Sequence, residues 1–306
     1  MNENSLPGVD IIIPCYNLGN LAVEAIESAL TQTYSRVGII FVDDGSTDST
    51  PDIARRFGDR IRYVRTENAG VSAARNSGIR LSGADFLLFL DADDYLLPDT
   101  IEKFMGAAIS YPTEAVFHSA WQTVDMERQL LFAAPPPDLQ NDAFHSLLFG
   151  LNPPPNSILI PRRFFERFGM FDEQLRGNED WDMWLRVAAG GIPFIAVPEA
   201  TVVYRRRPGS LRSNLRVQNE TYHAVLNKRR QLHAGCKKCK NIKRQRMEDW
   251  RNSVFFALKK EFADYQSNGR TTRGIFMLLV ELFQRPSLFR FLCSAGYRRL
   301  LSLLGR

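Results

Sequence analysis

The chain has no run of the roughly 18 to 20 apolar residues that a transmembrane helix requires. The nearest candidate, Gly274 to Phe283, is short and carries Glu281. The N-terminus, Met1 to Pro7, lacks the basic and apolar segments of a secretory signal. Cysteine is scarce: Cys15, Cys236, Cys239 and Cys293 are too few and too scattered for a disulfide framework. Together these absences predict a cytoplasmic protein. No Gly-x-Gly-x-x-Gly follows the first apolar run and no Gly-Lys-Ser/Thr loop occurs, which disfavours a dinucleotide dehydrogenase or a P-loop NTPase.

What is present is an ordinary core composition, 44% hydrophobic over 306 residues, enough for a large α/β domain with an appendage or for two domains. Charge is divided unevenly. Residues 1–204 hold 15 Lys+Arg against 28 Asp+Glu, and residues 205–306 hold 24 against 6, so an acidic body precedes a strongly basic tail. Such a tail faces something anionic, or docks in part on its own acidic body.

Within the body, short apolar runs alternate with helical periodicity. Val9 to Pro14, Val37 to Val42, Ile61 to Val64 and Asp85 to Leu90 read as strands. Ala22, Ala25, Ile26, Ala29 and Leu30 recur at helical spacing, as do Val71, Ala74, Gly78 and Leu81, and Pro98 marks a further helix start. The alternation predicts a mainly parallel sheet flanked by helices, with its ligand site at the carboxyl ends of the strands. Three of those ends are distinctive: Pro14-Cys15-Tyr16-Asn17, Asp43-Asp44-Gly45-Ser46 and Asp91-Ala92-Asp93-Asp94. In the second, Ser46 or Asp48 is placed to cap the next helix. The third gathers negative charge that needs a counter-charge, and carboxylates two residues apart suit Mg²⁺ or Mn²⁺ with positions open to a diphosphate. Together the three ends describe a nucleotide-diphosphate pocket.

Farther on, Pro135-Pro136-Pro137 and Pro153-Pro154-Pro155 read as loops over the surface. Trp181, Trp184, Leu185 and Ala188 mark a helix whose first turn holds Glu179, Asp180 and Asp182. Acids there complement the helix dipole, and they also suit a catalytic base.

Five ordered blocks now stand out: Val9 to Asn17, Phe41 to Asp48, Asn68 to Gly78, Phe89 to Asp94, and Glu179-Asp180-Trp181. In these blocks the chain resembles the family 2 glycosyltransferases, inverting enzymes of the GT-A fold, over about Val9 to Tyr204. The resemblance implies a GT-A domain at 1–204, with a nucleotide-sugar half to about 118 and an acceptor half from about 119, followed by a basic, mainly helical region at 205–306. It implies that Pro14 and Tyr16 lie against the nucleotide base, that Asp44 accepts a hydrogen bond from that base, and that Arg75 holds the base or its phosphate. Asp91 would contact ribose or metal, and Asp93 would bind the metal on the diphosphate. Asp180 would be the general base, with Glu179 and Trp181 beside the acceptor. At Arg207, where many relatives carry histidine, an arginine still pairs with phosphate oxygens but cannot act as a neutral ligand or proton carrier.

The implied activity is metal-dependent transfer of one sugar from a nucleotide-diphosphate donor to a lipid-linked or saccharide acceptor, in polysaccharide or glycolipid assembly. The Gln-x-x-Arg-Trp motif of processive relatives is missing. The stretch Trp121 to Asn156 and the tail are expected to shape the acceptor site. Two other functions compete: a catalytically silent sugar-nucleotide-binding or scaffolding protein, and a nucleotidyltransferase that forms sugar nucleotides. Retention of the aspartates argues against the first, and the absence of a glycine-rich N-terminal loop with Arg and Lys argues against the second.

In the tail, Arg285 to Arg306 has five arginines and no acids among leucines and phenylalanines. It suits a helix lying on an anionic membrane surface, making the protein peripheral at the inner face, or a helix packed on the body. No nucleic-acid motif is present, so nucleic acid is not an expected partner. Cys236-Lys237-Lys238-Cys239 has metal-ligand spacing, with His233 or His223 as further ligands. Structural zinc sites take four ligands, commonly from two such pairs, so zinc is not expected. His118 and His145 lack a spacing partner and read as surface or half-buried residues.

Overall fold

A computed structural model describes residues 6–111, 113–207, 215–246 and 248–249; Gly274 to Phe283 and the basic stretch 285–306 lie outside the described residues. The expected alternation is observed. β1 (Val9–Cys15), β2 (Val37–Asp43), β3 (Arg62–Arg65) and β4 (Phe86–Phe89) form a parallel sheet in the order β3-β2-β1-β4. Ile11, Ile12, Ile13, Phe41, Leu88 and Phe89 are fully buried, which is why these runs read as continuously apolar rather than alternating.

Beyond β4 the sheet becomes mixed. β5 (Tyr95–Leu96), β6 (Val116–Val124), β7 (Leu130–Ala134), β8 (Ile158–Pro161) and β9 (Phe194–Arg205) continue it in the order β4-β8-β6-β9-β5, with β7 pairing β6 as the second strand of a hairpin. β8 is antiparallel to β4 and β6, and β9 is parallel to β6.

The helices are α1 (Gly19–Leu30), α2 (Thr50–Phe57), α3 (Val71–Leu81), α4 (Thr100–Ser110), α5 (Ala143–Phe149), α6 (Arg163–Phe168), α7 (Glu179–Ala189) and α8 (Leu215–Lys228). Asp48 Oδ1 accepts from Thr50 N at the start of α2, as expected, and its other oxygen accepts from Gly19 N at the start of α1. Ser46 instead accepts from Asn17 N.

α3 corrects the expected face. Val71 is exposed, and the buried positions are Ser72, Ala74, Arg75, Asn76, Gly78 and Ile79. Of the polar residues on this buried face, Asn76 finds its partners on the acceptor half, and Arg75 finds one there and one in Asp91 of the nucleotide-sugar half. Gly78 lies so close to Ile12 of β1 that a Cβ would fall well inside van der Waals contact with the Ile12 side chain. Only glycine lets the helix sit this deep.

The second proline run is also corrected. Pro153, Pro154 and Pro155 are buried, and Pro155 begins a single 3₁₀ turn. Proline brings no N–H, so it can be buried without stranding a donor. The loop at Pro135 to Pro137 is at the surface, as expected.

Two compact units divide the chain, Met1–Cys236 and Lys237–Arg306. The first therefore extends past Tyr204, where the charge changes sign. α8 and the residues after it explain this: Lys228 pairs with Asp172 at 2.6 Å, and Arg229 pairs with Asp182 at 2.6 Å and Asp172 at 3.1 Å. Burial raises the Asp172 carboxyl, but the Lys228 hydrogen bond, the Gln174 N–H and the Lys228 and Arg229 charges outweigh it and hold it below its ordinary value. In the second unit, residues 237–246 are helical. Among the described residues no helix is long and apolar enough to cross a membrane.

Candidate active site

The carboxyl ends of β1, β2 and β4 are neighbours in a parallel sheet, so the three distinctive turns reach one edge. Asn17 has φ 54°; its N–H donates to Ser46 and its Oδ1 accepts from Thr47 N at 2.8 Å. That link between the first two turns leaves the Tyr16 ring 48% exposed at the rim. Pro14, expected beside it, is buried within β1 opposite Val42, so the aromatic face belongs to Tyr16 alone.

Asp44 is buried after β2. Its Oδ1 accepts from Ala69 N at 3.0 Å and its Oδ2 from Gly70 N at 2.8 Å, which shapes the turn entering α3. A carboxylate retains acceptor capacity beyond two bonds, so this bracing is compatible with a hydrogen bond to a base.

Arg75 departs most from expectation. Instead of opening toward a base or phosphate it is 3% exposed, with Nη1 donating to Glu179 Oε1 at 2.6 Å and Nη2 to Asp91 Oδ1 at 2.7 Å. Its guanidinium lies 5.4 Å from the centroid of the Phe171 ring. Burial alone would make it less basic, but Asp91, Glu179 and Asp180 together raise it above its ordinary value. One buried cation thus joins the Asp91 carboxylate after β4 to the first residue of α7. Asn76 makes a parallel link, donating to Phe171 O and Glu173 Oε1 and accepting from Phe171 N.

Glu179 and Trp181, expected beside the acceptor, are both buried and held by protein partners. Glu179 is held by Arg75. Trp181 is buried, donates Nε1–H to Leu147 O at 2.8 Å, and stacks on Tyr222 at 4.9 Å between ring centroids. Asp180 between them is half-buried; its Oδ1 accepts from Trp181 N at 2.7 Å, and Asn152 Nδ2 lies 3.5 Å from Oδ2. Asp182 is buried against Arg186 and Arg229.

The aspartate cluster has its counter-charges in the protein. Asp91 has Arg75, and Asp93 Oδ2 accepts from Arg207 Nε at 2.5 Å. Asp94 is buried, accepting from Arg205 N at 2.7 Å and Asn156 Nδ2 at 2.5 Å. Burial, then Asp91, raises the Asp93 carboxyl, with Arg207 pulling the other way; burial, then Asp93 and Asp91, raises Asp94 well above its ordinary value. The donor set still fits Mg²⁺ or Mn²⁺. Among the described residues Asp91 Oδ2 and Asp93 Oδ1 have no side-chain donor, and both carboxylates retain exposure, 29% and 18%. Asp94, with both oxygens committed, is a latch between the cluster and β9.

The sequence model described as "Glycosyl transferase family 2" matches residues 10–173, which include all three strand ends and α3. The chain belongs to glycosyl transferase family 2. Among curated relatives, uncharacterised glycosyltransferases of Rickettsia prowazekii and Rickettsia typhi are each 34% identical, over 190 and 197 residues covering 59% and 61% of this chain. The matched region spans only 58% and 60% of those relatives' own length. Among solved structures, S. aureus TarS 1–349 in complex with UDP-GlcNAc superposes with a TM-score of 0.57 at 16% identity, covering 91% of this chain and 92% of TarS 1–349. That likeness shows a shared fold, and the fold of this family 2 member is the GT-A arrangement.

Proposed function

We propose that the protein transfers a single sugar from a nucleotide-diphosphate sugar to an acceptor hydroxyl with inversion. The observation that carries this is the Arg75 bridge, which ties the donor-side Asp91 to the helix bearing Asp180 and so assembles both halves of such a site. Tyr16 would stack on the base and Asp44 would accept from it. Asp91 and Asp93 would hold Mg²⁺ or Mn²⁺, which when bound neutralises charge developing on the diphosphate leaving group. Asp180 would accept the acceptor proton as the hydroxyl attacks the anomeric carbon from the opposite face. A single displacement of this kind needs one carboxylate base and no covalent nucleophile. Arg207, which pairs with Asp93, would exchange that partner for diphosphate oxygens.

TarS structures with UDP and with UDP-GlcNAc support a UDP-sugar as the first donor to try. UDP-, GDP- and dTDP-sugars are to be screened by thermal shift with and without Mn²⁺, since a ligand of the native state raises apparent stability. One donor series should stabilise the protein, more so with metal, and the anomeric configuration of its product should be inverted. No stabilisation by any sugar nucleotide would leave the silent scaffold as the better account, and a retained configuration would remove the single displacement.

The basic composition of residues 205–306 supports an acceptor presented at an anionic membrane, in polysaccharide or glycolipid assembly. Salt-sensitive sedimentation with anionic liposomes is the expected result; indifference to them at low salt would favour a soluble saccharide acceptor.

A further inference from the structure

We propose that Asn152 is a positioning residue for Asp180, its side-chain amide orienting the carboxylate that takes the acceptor proton. This rests on the reading of Asp180 as the general base. Asp180 Oδ1 accepts from Trp181 N at 2.7 Å within the first turn of α7, while Oδ2 faces Asn152 Nδ2 at 3.5 Å, 28 residues away in sequence. The two oxygens are thus oriented by different elements, one by the helix and one by the loop before β8. At 3.5 Å the second contact is long, as catalytic hydrogen bonds often are before substrate binds.

Holding that aim leaves an atom of Asn152 unsatisfied. Its Oδ1 is buried and has no hydrogen-bond partner among the described residues. A buried polar atom without a partner is destabilising, and a leucine of similar volume would fill the place without stranding an oxygen. What leucine lacks is a donor. Turning the amide over would set Oδ1 against a carboxylate, acceptor against acceptor, so the orphaned oxygen follows from aiming Nδ2 at Asp180. Buried polar atoms left in this state call for a reason of this kind, and catalysis is one.

The loop is also anchored on either side of Asn152. α5 ends at Gly150 with φ 107°, and the chain then runs through Leu151 and Asn152 into the buried Pro153-Pro154-Pro155. Before this turn, Leu147 O accepts from the Trp181 indole; after it, Asn156 Nδ2 donates to Asp94 Oδ2. Asn152 is therefore carried between one anchor on the helix that bears Asp180 and one on the aspartate cluster. Asn152 and Asp180 are both half-buried, so neither is sealed from an incoming hydroxyl. The Arg75 and Asp180 charges act on one another, but Arg75 is held by Asp91 and Glu179 and is untouched by a change at Asn152.

Full-length variants separate the donor from the shape. Asn152→Asp keeps the shape and removes the donor, Asn152→Leu keeps the volume, and Asn152→Ala replaces either if it does not fold. UDP release from UDP-GlcNAc with Mn²⁺, or nucleotide release from the sugar nucleotide that thermal shift selects, is to be followed against pH, and donor affinity by calorimetry. Each variant should lower kcat by roughly 10- to 100-fold with donor affinity little changed. Because the amide donor favours the charged carboxylate, the acidic limb of the profile should move up by about half to one pH unit in Asn152→Leu, and further in Asn152→Asp, where two carboxylates share the site. Raising the pH should recover part of the Asn152→Asp turnover. Carboxyl ¹³C NMR, with the Asp180 signal assigned by its loss in Asp180→Asn, should show the same upward movement without turnover. Wild-type kcat and an unmoved limb in Asn152→Asp and Asn152→Leu, with Asp180→Asn inactive, would overturn the role of Asn152 and leave Asp180 as the base. Wild-type turnover by Asp180→Asn would instead remove the base, and the positioning role with it.

Discussion

Replacing Arg75 by alanine strands two carboxylates at once. Glu179 keeps 9% of its side-chain surface and Asp91 29%, and each loses a charge-assisted bond of 2.6 or 2.7 Å. Removing one partner from a buried ion pair costs about 3–5 kcal/mol, and the partial exposure of Asp91 places this case toward the lower figure. At roughly 2–4 °C per kcal/mol for a unit of this size, the melting temperature should fall by about 10 °C. Arg75→Lys should recover only part of this, because one ammonium cannot serve two carboxylates as a fork does. Combined with Glu179→Gln, the losses should be markedly less than additive, as for groups in one network. Turnover tests the functional half. If the bridge positions Asp180, the folded Lys variant should lose about 10²-fold in kcat with donor affinity little changed. A Lys variant with wild-type kcat, or an Ala variant with wild-type melting temperature, would refute the bridge.

Asp180→Asn should keep donor affinity and lower turnover by roughly 10²- to 10⁴-fold in steady-state kinetics; wild-type turnover would return Asp180 to a dipole-complementing role. Asp93→Ala should abolish the metal-dependent part of donor binding by calorimetry while the fold persists, and full activity of this variant, or of wild type in EDTA, would remove the metal. His118 is buried on β6, neither ring nitrogen has a hydrogen-bond partner among the described residues, and burial lowers its pKa from 6.5 to about 4. The unfolded chain takes up this proton before the folded one, so stability should fall by about 3 kcal/mol as pH drops from 6.5 to 4. His118→Leu should flatten that slope in denaturation curves, and an unchanged slope would assign it to other groups.

What was legible in the sequence had local causes. A strand buried on both faces must be continuously apolar, so β1, β2 and β4 announced themselves, and with parallel neighbours their carboxyl ends had to share an edge. The aspartates at those ends followed. The partners of Arg75 did not, because a salt bridge across 104 residues depends on how α7 is laid against α3, which no local pattern records. The same applies to Trp181. An indole after two acids resembles a binding residue until the Leu147 carbonyl and the Tyr222 ring are seen to enclose it. His118 and His145 looked alike as isolated histidines, yet one is sealed in the sheet and the other is aimed at the Cys236 thiol by Asp142.

Gly78 has no side chain to contribute to any reaction, yet it sets the reach of one. Because α3 rests on Ile12 at that point, the depth of the helix is determined by backbone against side chain, and Arg75 stands one turn nearer the sheet edge on the same rigid rod. A methyl group at Gly78 would lift the rod by some fraction of an ångström. The guanidinium would then have to stretch, tilt or abandon one of its two carboxylates. The tolerances of the candidate site are therefore set partly at Gly78, where selection would act on the absence of an atom.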